Sequence, residues 1–156
     1  MDQENKIFDK MMRPESEFTD KVVEIKRVSK KTKGGNQVSF TALVVTGDKK
    51  SRVGVARARA KSVADAIQKS ITKARKSMID VPIVNGTIPS SITLKFKGAL
   101  VMIRPGKQGS GLIAGGPVRS VVELAGIKDI VSKIIGSKNK SINVWATLEA
   151  LKSIKK

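Results

Sequence analysis

The sequence predicts an α+β protein built from two small units. Three observations carry that prediction: short runs in which apolar and polar residues alternate, glycine-centred turns between those runs, and segments that open with helix-capping residues. Hydrophobic residues make up 40% of the 156-residue chain, enough for packed cores and more than a disordered basic tail carries.

Residues 1–17 mix charges without sustained periodicity and contain Arg13-Pro14, which predicts a mobile, acidic-leaning tail. From Phe18 the pattern changes. Val23 and Ile25 alternate with charged residues, and Val38, Phe40, Ala42 and Val44 share one face of a second run, the period expected of half-buried strands. Between them RVSKKTKGGNQVSF, residues 27–40, reads as a hairpin with four cations and two adjacent glycines toward its tip. Residues 46–51 predict a second turn, and Arg52 to Ala60 a third strand with Gly54 at a bulge. Ser62, with Asp65 three residues on, marks a helix start. Val63, Ala66, Ile67, Ile71, Ala74 and Met78 then form an apolar stripe, while Lys69, Lys73 and Lys76 line another face.

Two prolines and the pair Asn85-Gly86 lie between Asp80 and Pro89, so the chain is expected to pass into its second unit near residue 84. The folded units are then 18–83 and 84–156. Ile92, Leu94 and Phe96 alternate with polar residues, and Gly98 turns the chain into Ala99–Arg104, apolar enough for a buried strand. A glycine-rich passage, residues 106–116, leads to a short helix with Pro117 at its first position, Val118, Val121, Val122 and Ala125 on one face, and Gly126 just past its end. Ile127, Ile130, Val131 and Ile134 follow helical spacing, yet the segment is brief and β-branched, so periodicity leaves helix and strand both open. Asn139 or Ser141 caps a last helix carrying Val144, Leu148 and Leu151, with Lys152, Lys155 and Lys156 suited to its negative end.

Thirty-one Lys+Arg against 13 Asp+Glu give a formal net charge of +18. The first 20 residues carry net −3, which leaves +21 on residues 21–156. Such a surface attracts polyanions by releasing their counterions, and nucleic acid is the leading partner. No segment approaches 18 consecutive apolar residues and no signal-peptide pattern opens the chain, so a cytoplasmic protein with no membrane partner is expected. With no cysteine and no histidine, thiolate metal sites and the commonest general base are excluded. The expectation is a non-enzyme with no catalytic residue, no metal and no cofactor.

Lys26, Arg27, Ser29, Lys30, Lys31, Lys33 and Asn36 surround Gly34 and Gly35, whose permitted positive φ lets backbone N–H groups approach an anion. The other reading of this loop is a hairpin turn with solvated lysines; the charge of the whole domain favours phosphate contact. Arg57 and Arg59 project to one side of the third strand, where they either reach phosphates or extend into water at a sheet edge. Lys69 and Lys73 on the helix are either RNA contacts or a solvated face. Four Phe, one Trp and no Tyr argue against an aromatic platform for single-stranded bases and for recognition of a duplex by shape and backbone. Gly109-Ser110-Gly111-Leu112-Ile113-Ala114, with Asp129 18 residues beyond Gly111, matches a dinucleotide-binding fingerprint weakly, because the predicted helix starts only near Pro117. An enzyme using that passage for a nucleotide is the alternative from another class; close backbone packing against another molecule is the favoured role for these glycines.

Several phrases in order carry a family resemblance: RVSKKTKGG with SFTALVVTGD, AIQKSITKARKSMIDV, NGTIP, GSGLIAGGPVRSVVELAGIKDI, GSKN and NVWATLEAL. From about Phe18 to Leu151 the chain resembles the bacterial small-subunit ribosomal protein S-five family. The resemblance implies a domain similar to double-stranded-RNA-binding folds, followed by a βαβ-type domain with an unusual left-handed crossover. That βαβ topology makes residues 129–135 a strand. The resemblance also implies a structural role at the body–head junction of the small ribosomal subunit, with partners in small-subunit ribosomal RNA, proteins S-four and S-eight, and messenger RNA near its entrance. No homo-oligomer is implied. The loop matching Ser29 to Gly35 would reach toward the neck. Gly115, Gly116 and Arg119 match the region facing S-four, where changes affect decoding accuracy. The chain departs from the family pattern at Asn36, where Arg is usual, at Arg57 and Arg59, which replace a glycine-rich phrase, and at Ser90, where histidine is typical.

Overall fold

The computed structural model describes residues 17–154, so the expected tail lies outside the described residues except for Glu17, as do Lys155 and Lys156. The α+β expectation holds. A first antiparallel sheet has the order β1-β2-β3-β4, with β1 Thr19–Thr32, β2 Gly35–Gly47, β3 Arg52–Ala60 and a two-residue β4 Ile79–Asp80 that periodicity could not signal. Because β4 pairs only with Arg52 and Val53, β3 beyond Gly54 is a free edge among the described residues. The bulge lies in β1, where the register shifts between Val22 and Glu24, whereas Gly54 pairs regularly with Thr46. Gly54 is small for a different reason: a Cβ there would meet the backbone carbonyl of Ala74 on the helix above.

That helix, α1, spans Val63–Lys76 and starts as expected, with the Ser62 hydroxyl accepting from the Asp65 N–H at 3.2 Å. Ala66, Ser70 and Ala74 are its buried residues, and they sit on the face of the first sheet that displays Phe40, Ala42, Val44 and Ala60. The Ser70 hydroxyl donates to the Ala42 carbonyl at 2.9 Å, so that buried hydroxyl is satisfied. Asp20 ties three elements together, accepting from the Thr46 hydroxyl at 2.6 Å and from the Arg75 guanidinium at 2.9 Å.

The second sheet has the order β5-β6-β8-β7, with β5 Ile92–Phe96, β6 Ala99–Pro105, β7 Leu112–Ile113 and β8 Ile130–Gly136. Helix α2, Gly116–Ala125, links the parallel pair β7 and β8 as a βαβ unit, with Pro117 at its second residue and Gly126 left-handed at φ +92°. In β8 the open choice resolves to strand, because Ile130, Ser132 and Ile134 point inward while Val131, Lys133 and Ile135 point out, a period of two. Helix α3, Lys140–Ser153, is capped by Asn139, whose side chain accepts from the Ser141 N–H at 3.0 Å.

The layers run α1, first sheet, the α2/α3 pair, second sheet. This stacking changes the reading of β2. Residues 42–47 are buried on both faces, because Leu43 and Val45 join Val53 and Val55 in one continuous core with Val121 and Leu124 of α2, Leu148 and Leu151 of α3, and Val101 of β6. Where α2 meets the β2–β3 turn, backbones touch. A Cβ on Gly47 would meet the Leu124 carbonyl, one on Gly126 would meet the Lys49 carbonyl, and the Lys49 N–H donates to the Leu124 carbonyl at 3.0 Å.

Asp48 holds that turn in shape. Its Oδ1 accepts from the N–H groups of Lys50, Ser51 and Arg52 at 2.9, 3.1 and 2.9 Å, and Oδ2 from the Arg52 guanidinium at 3.0 Å. Burial alone would raise the Asp48 pKa, but those backbone donors and Arg52 outweigh it and hold the carboxyl well below the usual carboxylate range. A depressed folded-state pKa gives stability that is present above the unfolded value, about 3.9, and is lost as pH falls through the folded one. Asp48→Asn is therefore expected to cost about 1.5–3 kcal/mol at neutral pH. The gap in Tm from the wild type should stay constant from pH 7 to pH 5 and close below about pH 4 in a calorimetric series.

Candidate nucleic-acid interface

Strand β3 ends at Ala60 opposite Phe40, and the β1–β2 ladder continues alone for five more pairs, from Val28 with Ser39 to Thr32 with Gly35. At about 3.4 Å per residue the hairpin projects roughly 17 Å beyond the third strand. Residues 25–37 are exposed, which no half-buried strand shows, so this stretch is an arm. Its tip bends at Lys33-Gly34, and the Thr32 hydroxyl donates to the Gly35 carbonyl at 2.7 Å. Of the two glycines only Gly35 takes a positive φ, +124°; a Cβ on Gly34 would meet nothing within 4 Å.

The pleat sorts the arm's side chains. Arg27, Ser29 and Lys31, with Asn36 opposite Lys31, point to the side of the sheet that carries α1. Lys26 and Lys30 point to the other side. Among the described residues Arg27, Lys30, Lys31 and Lys33 have no carboxylate within 4.0 Å, whereas Lys26 lies 3.5 Å from Glu24. The arm's charge is therefore presented outward rather than neutralised within the fold.

Lys26, Thr41 and Arg59 form one cross-strand row, and Glu24, Leu43 and Arg57 the next, on the face away from α1. The expected pairing of Arg57 and Arg59 on one side of β3 is what the register gives, and Arg59 donates to the Ser39 hydroxyl, which fixes its direction. A small cavity of about 360 Å³ lies between these rows. Lys69 and Lys73 are exposed on α1, across the sheet from that row, but only Lys73 reaches round the free edge of β3 to share a cavity with Lys26 and Arg57. Lys97 and Lys152 line the same cavity. Sequence reasoning passed over both, because they come from a turn and a helix far from β3 in the chain and no local pattern joins them.

Gly115, Gly116 and Arg119 are gathered at the start of α2, all exposed and separate from the arm. The Arg119 N–H donates to the Gly115 carbonyl at 2.8 Å. A Cβ at Gly115 would lie 2.9 Å from Ile134 Cδ1, while Gly116 faces open space. In the glycine passage before them, Gly106 packs on the backbone of Asp129 and Ile130 inside the chain, while a Cβ on Gly109 or Gly111 would meet nothing within 4 Å among the described residues. The buried Asp129 carboxylate accepts from the Gly111 N–H at 2.9 Å, and the Ile130 N–H donates to the Gly111 carbonyl at 3.1 Å. The acid and the loop of the fingerprint thus satisfy each other, and the acid holds the loop against β8.

Unneutralised cations on a projecting β arm, carried by a stack of two sheets, define a nucleic-acid-binding structural protein. Comparison with known proteins gives the same class. Residues 18–82 match the N-terminal domain of ribosomal protein S5, and residues 94–156 its C-terminal domain. Small ribosomal subunit protein uS5 of Treponema pallidum subsp. pallidum is 48% identical over 130 residues, covering 83% of this chain and 75% of that protein. The uS5 of the Nichols strain of Treponema pallidum is also 48% identical over 130 residues, with the same coverage. The chain belongs to the ribosomal protein S5 family, a family of structural, non-enzymatic proteins of the small ribosomal subunit that bind ribosomal RNA. Among the described residues no helix is long and apolar enough to cross a membrane.

Proposed function

We propose that this protein stabilises ribosomal RNA at the body–head junction of the small subunit, with its arm as the main RNA contact. Lys26, Arg27, Ser29, Lys30, Lys31, Lys33 and Asn36 approach phosphates, and Gly34 and Gly35 keep the tip narrow. Arg57 and Arg59 extend the contact along the sheet, and Lys69 and Lys73 along α1. Residues 18–83 form the RNA-binding unit and 84–156 the unit that meets other proteins. In that second unit Gly115, Gly116 and Arg119 face S-four, with S-eight also packed nearby. From that position the protein influences decoding accuracy and borders the entrance for messenger RNA. It works in the cytoplasm as a single copy per subunit.

The observation that carries this reading is the arm: five strand pairs beyond any third strand, with four cations that no described carboxylate meets. Solvated lysines alone would gain nothing from such a projection, whereas phosphate oxygens reached by it gain charge-assisted hydrogen bonds. Sedimentation of cell extract tests the proposal. The chain is expected to travel with the small subunit and stay through a high-salt wash; sedimentation away from ribosomes would make it a free regulator of duplex RNA instead.

A further inference from the structure

The free edge of β3 and the end of α1 face α3 and the β5–β6 turn across a cleft of about 690 Å³, within the size range of small-ligand sites. Composition argued against an aromatic platform, yet two of the chain's five aromatic residues, Phe96 and Trp145, line this one cleft. Both are partly exposed. The cleft is also basic. Lys26, Arg57 and Lys73 come from the first unit and Lys97 and Lys152 from the second, with Glu149 as the only carboxylate among the lining residues. The Lys97 ammonium lies 5.6 Å from the Phe96 ring centre, which sets positive charge directly beside the aromatic wall.

We propose that this cleft takes an unpaired nucleotide of a single-stranded RNA, its base against Trp145 and its phosphates on Arg57, Lys97 and Lys152. Each part of the lining fits a part of that ligand. Val55, Ile79 and Leu148 give an apolar floor for a flat base. The backbone groups of β3 around Val55 to Arg57 that point away from β2, and that no strand among the described residues pairs, are donors and acceptors for base edges. An acidic peptide would match the charge and could add to the strand edge, but it brings nothing for the indole to stack on. The inference rests on the RNA-binding reading above and adds a second site that works on a different form of RNA from the arm.

Trp145 is the only tryptophan, so its fluorescence reports the cleft directly. Titration of the full chain with octauridylate is expected to quench it saturably, while a blunt eight-base-pair RNA duplex binds, measured by anisotropy, without quenching. Lys97→Asn and Lys152→Glu should each weaken the quench roughly tenfold, as loss of one charge-assisted contact implies. Asparagine is chosen at position 97 because the native φ is +52°, which asparagine tolerates. Bound octauridylate with no quench would overturn the proposal and leave the RNA-binding reading standing. Equal quenching by the duplex, or by polyglutamate, would also overturn it, the latter making the cleft an acidic-peptide site. Failure to bind either RNA would bring down both readings.

Discussion

Gly47→Ala is expected to destabilise the protein by roughly 3–5 kcal/mol, a large share of the 5–15 kcal/mol typical of a domain. The added Cβ would enter the space of the Leu124 carbonyl, which is backbone inside a helix and cannot rotate away as a side-chain end would. Separating β2 from α2 to relieve the clash would open the core that Leu43 and Val45 share with Val121 and Leu124. Calorimetry should show Tm lower by about 6–20 °C, given about 2–4 °C per kcal/mol for a chain of this length. Gly98→Ala is the matched control, because its Cβ meets nothing within 4 Å and its φ is not positive; its Tm should stay within about 2 °C of the wild type. A Gly47→Ala protein as stable as that control would mean that the two sheets do not share one core.

Charge reversal of the arm, Lys30→Glu with Lys31→Glu and Lys33→Glu, is expected to abolish stable binding to small-subunit RNA while leaving the fold intact. All three side chains are exposed and have no carboxylate within 4.0 Å among the described residues, so no internal contact is lost. If each neutralises one phosphate, the slope of log affinity against log salt should fall by about three. Filter binding across a salt series reads this, with circular dichroism to show retained structure. Shape is tested apart from charge by the two glycines. Gly34→Ala should bind normally, since its Cβ meets open space, whereas Gly35→Val is strained at φ +124° and should loosen the tip. Unchanged affinity in the triple variant would reduce the arm to a solvated turn.

The elements a reader could find in the sequence are those whose signal is local. The Ser62 cap, the left-handed Gly126 and the alternation Phe40, Ala42, Val44 each depend on neighbours a few residues away, and each appears in the fold. The segment 127–135 was ambiguous for a physical reason: a spacing of four lies on one face of a helix and, being even, on one face of a strand too, so Ile130 and Ile134 fit both periods. The double burial of β2 was not legible, because its second face is covered by α2 and α3, which come some seventy or more residues later. For the same reason Gly47 read as an ordinary turn glycine. In the candidate interface the cations of the arm were legible as a cluster, while the company of Arg57, Lys97, Lys152 and Trp145 is created only by the stacking of layers.

That stacking also sets a schedule. Leu43, Val45, Val53 and Val55 are made early, but their cover arrives only with α2 and then with Leu148 and Leu151 of α3. At a synthesis rate of roughly 5–20 residues per second, the interval is on the order of ten seconds. During it the nascent chain presents an uncovered, strand-shaped apolar surface beside a strongly cationic hairpin, a combination prone both to self-association and to premature capture by RNA. The face of the first sheet that packs on α1 can be covered as soon as that helix is made, whereas full burial of its other face waits on α3.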